Sequence, residues 1–141
     1  MNRPFSPEPS SCSMGVYTTR SLRRQDRAMT EQDARLLLRE ATYAVLCMEN
    51  IDGGGYGIPI NYAWDEVDSI YFHCAGLGHK LRCIQNNPRV SLVVLKAPSV
   101  LGEQFSMAYE SVIVQGDVDI VNNSEEKRKA LTLLIQRITP Q

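Results

Sequence analysis

The sequence predicts a mainly β protein of the α+β class, a small antiparallel barrel flanked by helices. Three observations predict it. β-prone runs recur at hairpin-like spacing across residues 43–74. Helical patterns bracket the strands instead of alternating with them, which argues against a parallel Rossmann sheet. The chain, at 141 residues, is long enough for one domain with a real core and too short for two ordinary ones.

Residues 1–22, rich in Pro and Ser and without the apolar core of a signal peptide, read as a disordered extension ahead of a domain at 23–141. The basic cluster Arg20, Arg23, Arg24 and Arg27 is interrupted by Asp26 and reads as a solvated or domain-packing segment. Residues 30–41 open with a capping-box pattern, Thr30 and Asp33, and continue with Leu37, Leu38 and Ala41 on one face, which predicts a helix. A strand at 43–48, a glycine-rich turn at 50–55, a strand at 56–64, a turn at 65–68 and a strand ending at Cys74 should form an antiparallel meander. Residues 75–78 are a small, flexible turn. A short helix follows from His79 to Ile84 and stops at Asn86-Asn87-Pro88.

Arg89–Leu95 is a nearly continuous apolar run and reads as a strand. Residues 104–121 read as a long strand or a bent pair, with Gly116 a candidate bulge or bend. Asn123 and Glu126 then cap a helix to Ile138 whose stripe is Ala130, Leu131, Leu134, Ile135 and Ile138. Five or six strands barely close a barrel, so the sheet should stay partly open or be covered by a second subunit.

The formal net charge of −1 gives no electrostatic reason to expect nucleic acid or an anionic membrane as partner. No apolar run is long enough to cross a bilayer. Four cysteines without a CxxC pair point to reduced thiols and a cytoplasmic location. Cys47, His73, Cys74, His79 and Cys83 are soft ligand types, but neighbours on a strand face opposite ways, and finger-like spacing is missing. No metal is expected. A Cys74–His73 nucleophile fails on the same geometry.

The glycines at 53–57 match no phosphate-loop pattern and read as a hairpin turn. Pro59 belongs on an edge or at a bulge, where the backbone can face a ligand. Asn61 could offer its amide to a heterocycle, and Tyr62 or Trp64 could stack or fill the core. Lys80 stands in a first helical turn, an unfavourable place for a cation unless an anion offsets it. A strand, a glycine turn and a helix opening with Lys80 together suit a phosphate.

These segments resemble a family. Arg24-Gln25-Asp26-Arg27, Pro59-Ile60-Asn61-Tyr62, Tyr71-Phe72-His73-Cys74-Ala75 with Gly78-His79-Lys80, Asn87-Pro88, and Tyr109 through Gly116 come in the order seen in flavin-binding split barrels. The chain resembles the pyridoxamine 5'-phosphate oxidase-like proteins, and among them the 5-nitroimidazole resistance (Nim) group, from about Arg23 to Ile138. The resemblance implies an antiparallel split β-barrel that here lacks the last family strand, and a homodimer with FMN at the interface. Ile58, Pro59, Ile60, Asn61 and Tyr62 would lie along the isoalloxazine. His73, Cys74, Ala75, His79 and Lys80 would hold the ribityl phosphate, and Ser111 is a further candidate. The implied reaction is two-electron reduction of a small heteroaromatic such as a nitroimidazole, with His73 the candidate catalytic side chain. A non-catalytic flavin- or haem-binding dimer is one alternative. Pyridoxamine phosphate oxidation is another, but it needs a second basic phosphate site, for which few lysines or arginines remain.

Overall fold

The computed structural model describes residues 17–74, 76–96, 99–101, 106–108 and 110–139. Most of the expected N-terminal extension, residues 1–16, lies outside the described residues, and so does Ala75. Among the described residues no helix is long and apolar enough to cross a membrane.

Helix α1 (Glu31–Glu40) starts where the capping pattern requires. Thr30 is the N-cap, and its hydroxyl accepts the Asp33 N–H at 3.1 Å. Strands β1 (Ala44–Glu49) and β2 (Gly55–Ile60) form a hairpin. Its turn depends on Gly53 and Gly54, at φ +98° and +84°, a backbone that side chains resist. β3 (Ala63–Trp64) and β4 (Ile70–Tyr71) pair in a separate two-stranded sheet. Helix α2 (His79–Asn86), strand β5 (Arg89–Leu95), the hairpin β6 (Ser99–Leu101) and β7 (Ser106–Ala108), strand β8 (Ser111–Asp117) and helix α3 (Ser124–Ile138) complete the order. The main sheet runs β2-β1-β5-β8, antiparallel throughout.

The α+β antiparallel class therefore holds, with four local corrections. The expected meander is two hairpins in different sheets. The strand predicted at 56–64 breaks after Ile60, where β2 runs out of its partner β1 at Ala44. Just past it, Tyr62 turns into the core and donates its hydroxyl to the Leu38 carbonyl at 2.6 Å. The strand predicted through Cys74 is regular only at Ile70–Tyr71, because its partner β3 is itself two residues long. Gly116 is not a bulge: it pairs with Val90 inside an unbroken register from Arg89↔Asp117 to Leu95↔Ser111.

Alternation sorts the sheet into two faces. Ala44, Leu46 and Met48 of β1 and Val90, Leu92 and Val94 of β5 are buried with Leu37 and Leu38 of α1 and Cys83 and Ile84 of α2. The opposite face carries a row of four residues across all strands, Pro59, Val45, Val93 and Ile113, in direct register. Ile113 is 61% exposed. On α3 only Ala130 and Leu134 of the expected stripe are buried; Leu131, Ile135 and Ile138 are exposed.

Candidate functional site

Two of the three α-helices cap themselves with a side chain. Thr30 serves α1, and Asn123 serves α3 by accepting the Glu125 and Glu126 N–H groups at 2.9 and 3.1 Å. Helix α2 has no side-chain cap. Its N-cap is Gly78, at φ +149°, and a Cβ added at Gly76 or Gly78 would meet nothing within 4 Å. The first-turn N–H groups of a helix have no intrahelical acceptor, and the macrodipole makes that end positive. Lys80 adds a half-buried ammonium there, with no ion-pair partner among the described residues.

This end of α2 rests on the β1–β2 hairpin. His79 Nε2 lies 2.9 Å from Asn50 Oδ1, and its ring meets Tyr56 edge-on with centroids 4.9 Å apart. At the other end of the helix, Asn87 donates to Glu49 Oε2 at 2.7 Å. Asn50 and Tyr56 were not among the expected site residues. The one signal for Asn50 in the sequence was its place before the glycines of the hairpin turn.

β2 is an edge strand of the main sheet, so Pro59 sits where its missing N–H breaks no ladder. The outward residues of β2 are Gly55, Gly57 and Pro59, all exposed. A Cβ at Gly57 would only touch Val45 Cγ1 and Cys47 Sγ, at 3.5 and 3.8 Å, so the surface there is level. Beside it lies a shallow depression of about 540 Å³, lined by Cys47, Glu49, Arg89, Ser91, Gln115 and Asp117 among others. A second, open cleft of about 460 Å³ between the β3–β4 turn and α3 is rich in carboxylates, Asp65, Asp68, Glu125 and Glu126, which disfavour an anion.

The expected site residues separate into groups. Ile58 and Ile60 point inward, Ile60 into the core and Ile58 against it, while Pro59 and Asn61 are exposed. The Tyr62 side chain is unavailable to a ligand from this surface. It is 1% exposed, its hydroxyl is committed to Leu38, and Arg137 lies over its ring at 5.8 Å. Burial pushes its pKa up to about 12. His73 is exposed and Cys74 buried, both past the end of β4. His79 and Lys80 open α2. Ser111 is exposed at the start of β8, the other edge of the sheet, three strand spacings or about 14 Å from β2. One chain does not bring Ser111 together with residues 58–61. Among the described residues no three His, Cys, Asp or Glu side chains are grouped to hold a metal ion.

The sequence model of the pyridoxamine 5'-phosphate oxidase family matches residues 30–141. The chain belongs to that family. No curated protein matches it in sequence. Among solved structures, it is similar to a candidate 5-nitroimidazole antibiotic resistance protein of Bacteroides thetaiotaomicron, with TM-score 0.72 and 23% identity over 81% of this chain and 69% of that one. A conserved hypothetical protein of Mycobacterium tuberculosis gives TM-score 0.69 and 20% identity, over 82% of this chain and 68% of that one. An FAD and heme binding protein of Mycobacterium smegmatis gives 0.67 and 19%, over 80% of this chain and 56% of that one. At these identities the likeness is one of fold, and the fold is the split barrel of the family.

The donor set of this pyridoxamine 5'-phosphate oxidase-family chain fits a phosphorylated flavin. An uncapped helix start with a lysine and an open glycine turn suits a phosphate. A level edge strand with free backbone groups suits the polar rim of a planar ring.

Proposed function

We propose that this family member is an FMN-dependent oxidoreductase acting as a homodimer on a small heteroaromatic compound, such as a nitroimidazole. The observation that carries the reading is the uncapped start of α2, docked beside the level edge of β2. Lys80 and the first-turn N–H groups would hold the ribityl phosphate, with His73 and Cys74 as further candidates on the approach to α2. Ile58, Pro59, Ile60 and Asn61 would present backbone groups and one amide to the ring edge. Bound FMN would supply two-electron reduction. The chain's own part is to orient the ring, exclude water from one face of it, and hold a proton at the exposed imidazole of His73.

The dimer reading rests on the outward row Pro59, Val45, Val93 and Ile113, an apolar stripe across a face that is otherwise partly polar, and one suited to an isologous contact. A second copy on that face would carry its Ser111 edge toward β2 of the first, which one chain cannot do. Purified protein should be yellow, or become so with FMN, and the bound flavin should cycle with NAD(P)H or dithionite and a nitroimidazole. Protein that stays colourless and fails to quench FMN fluorescence overturns the reading.

A second reading, a haem- or flavin-binding module without turnover, draws on the fold likeness to the FAD and heme binding protein and on the exposed His73 as a candidate iron ligand. A Soret band after haem addition, lost in His73→Ala, would favour it over the first.

A further inference from the structure

We infer that Asn50 and His79 form a positioning pair that aims the start of α2, so that Asn50, which touches no ligand, sets the preference for a phosphorylated flavin. The inference rests on the FMN reading above.

The hydrogen bonds fix the roles of the atoms. The Asp52 backbone N–H can only donate, so the Asn50 side-chain atom 3.1 Å from it must be the oxygen. The same oxygen lies 2.9 Å from His79 Nε2. Two acceptors do not pair, so Nε2 carries the proton and donates. Asn50 is itself held by the turn: its N–H donates to the Gly54 carbonyl, and its carbonyl accepts the Gly53 N–H, both at 2.9 Å. The left-handed glycines that make this turn possible thus dictate which tautomer the first residue of α2 adopts and where its ring stands. Tyr56 fixes the ring plane.

Glu49 and Asn50 are consecutive, and between them they hold both ends of α2, through Asn87 and His79. A helix tied at both ends to one hairpin cannot tilt without breaking a tie. The direction of its first-turn N–H groups is therefore set by β1–β2, the same hairpin that offers the level edge. This makes His79 a positioning residue whose Nε2–H is already engaged, while Lys80, the next residue, carries the available charge.

The test is a double-mutant cycle of Asn50→Ala and His79→Ala, read as FMN and riboflavin affinities by fluorescence quenching and as thermal unfolding without flavin. Each single variant should weaken FMN by about five- to tenfold, the scale of one hydrogen bond, and riboflavin by about twofold or less. The double variant should be no worse than either single one. Asn50→Asp, which keeps both acceptor contacts, should restore the preference for FMN. Losses that multiply in the double variant, or equal losses for FMN and riboflavin, overturn the pair. So does a His79→Ala loss far above that of Asn50→Ala, since it would put His79 on the phosphate itself. If the wild type binds neither flavin, the FMN reading falls, and the unfolding cycle decides the pair alone: coupled losses uphold it and additive losses overturn it. Should Asn50→Ala not fold, His79→Gln is expected to keep the FMN preference and His79→Leu to lose it; identical behaviour overturns the inference.

Discussion

His79 and Asn50, 29 residues apart in the chain, meet at 2.9 Å and join the start of α2 to the turn of the β1–β2 hairpin. This contact ties the two halves of the proposed flavin site to one hairpin. The phosphate end and the ring-edge strand are then spaced by a hairpin, whose length its register fixes.

Lys80→Ala tests the phosphate end directly. Removing a charge-assisted contact of about 1.5–3 kcal/mol should weaken FMN by roughly tenfold or more and leave riboflavin nearly unchanged. Fluorescence titration of the two flavins gives both numbers, and equal losses would place Lys80 away from the phosphate.

His73→Ala separates chemistry from binding. The side chain is exposed, so the fold should be unaffected and FMN should bind within about twofold of wild type. Single-turnover reduction of a nitroimidazole should slow by about a hundredfold if the imidazole handles the proton. An unchanged rate would remove His73 from the reaction.

Ile113→Lys should break the dimer without unfolding the chain. The residue is 61% exposed on the outward row, so a single copy loses little by the change. Sedimentation should report a monomer with an unaltered circular dichroism spectrum and weakened FMN binding. A dimer that persists would move the interface elsewhere.

Alkaline stability should follow Tyr62. Its pKa rises from 10.0 to about 12, chiefly because burial disfavours the phenolate. The folded state is the one that keeps the proton, so this contribution is complete below pH 10 and is lost as pH rises toward 12. Tyr71 shifts likewise, by burial and then by the nearby charges of Glu126 and Asp65. Tyr62→Phe should lower stability by about 1 kcal/mol at neutral pH, since the Leu38 carbonyl loses its donor, and should flatten the alkaline decline. Urea unfolding at pH 7 and pH 11 measures both.

Thr30→Ala should destabilise the fold by about 1 kcal/mol through the lost cap of α1, with no effect on flavin affinity. A matching loss of FMN binding would tie α1 to the site.

Local chemistry was readable along the chain. The caps of α1 and α3, the glycine hairpin, the turn before Lys80 and the β5 run all follow from side-chain types within a few residues of one another. Pro59 announced an edge, and β2 is one. His73 is exposed and Cys74 buried, although the strand expected to separate them ends at Tyr71.

Long-range pairing was not readable, and it made the differences. Tyr62 belongs to the core because the Leu38 carbonyl, 24 residues away, accepts its hydroxyl. Tyr62 lies just past Ile60, where β2 runs out of its partner β1 at Ala44, and just before the second sheet begins at Ala63. Gly116 stays in register because β5 offers an unbroken partner for β8. Ser111 lies across the sheet from residues 58–61 because strand order, which periodicity does not encode, puts β1 and β5 between them. The residue types that favour a phosphate at α2 are written in the sequence. Their aim is not, because it depends on Asn50 and Glu49 reaching the helix from a hairpin whose position only folding creates.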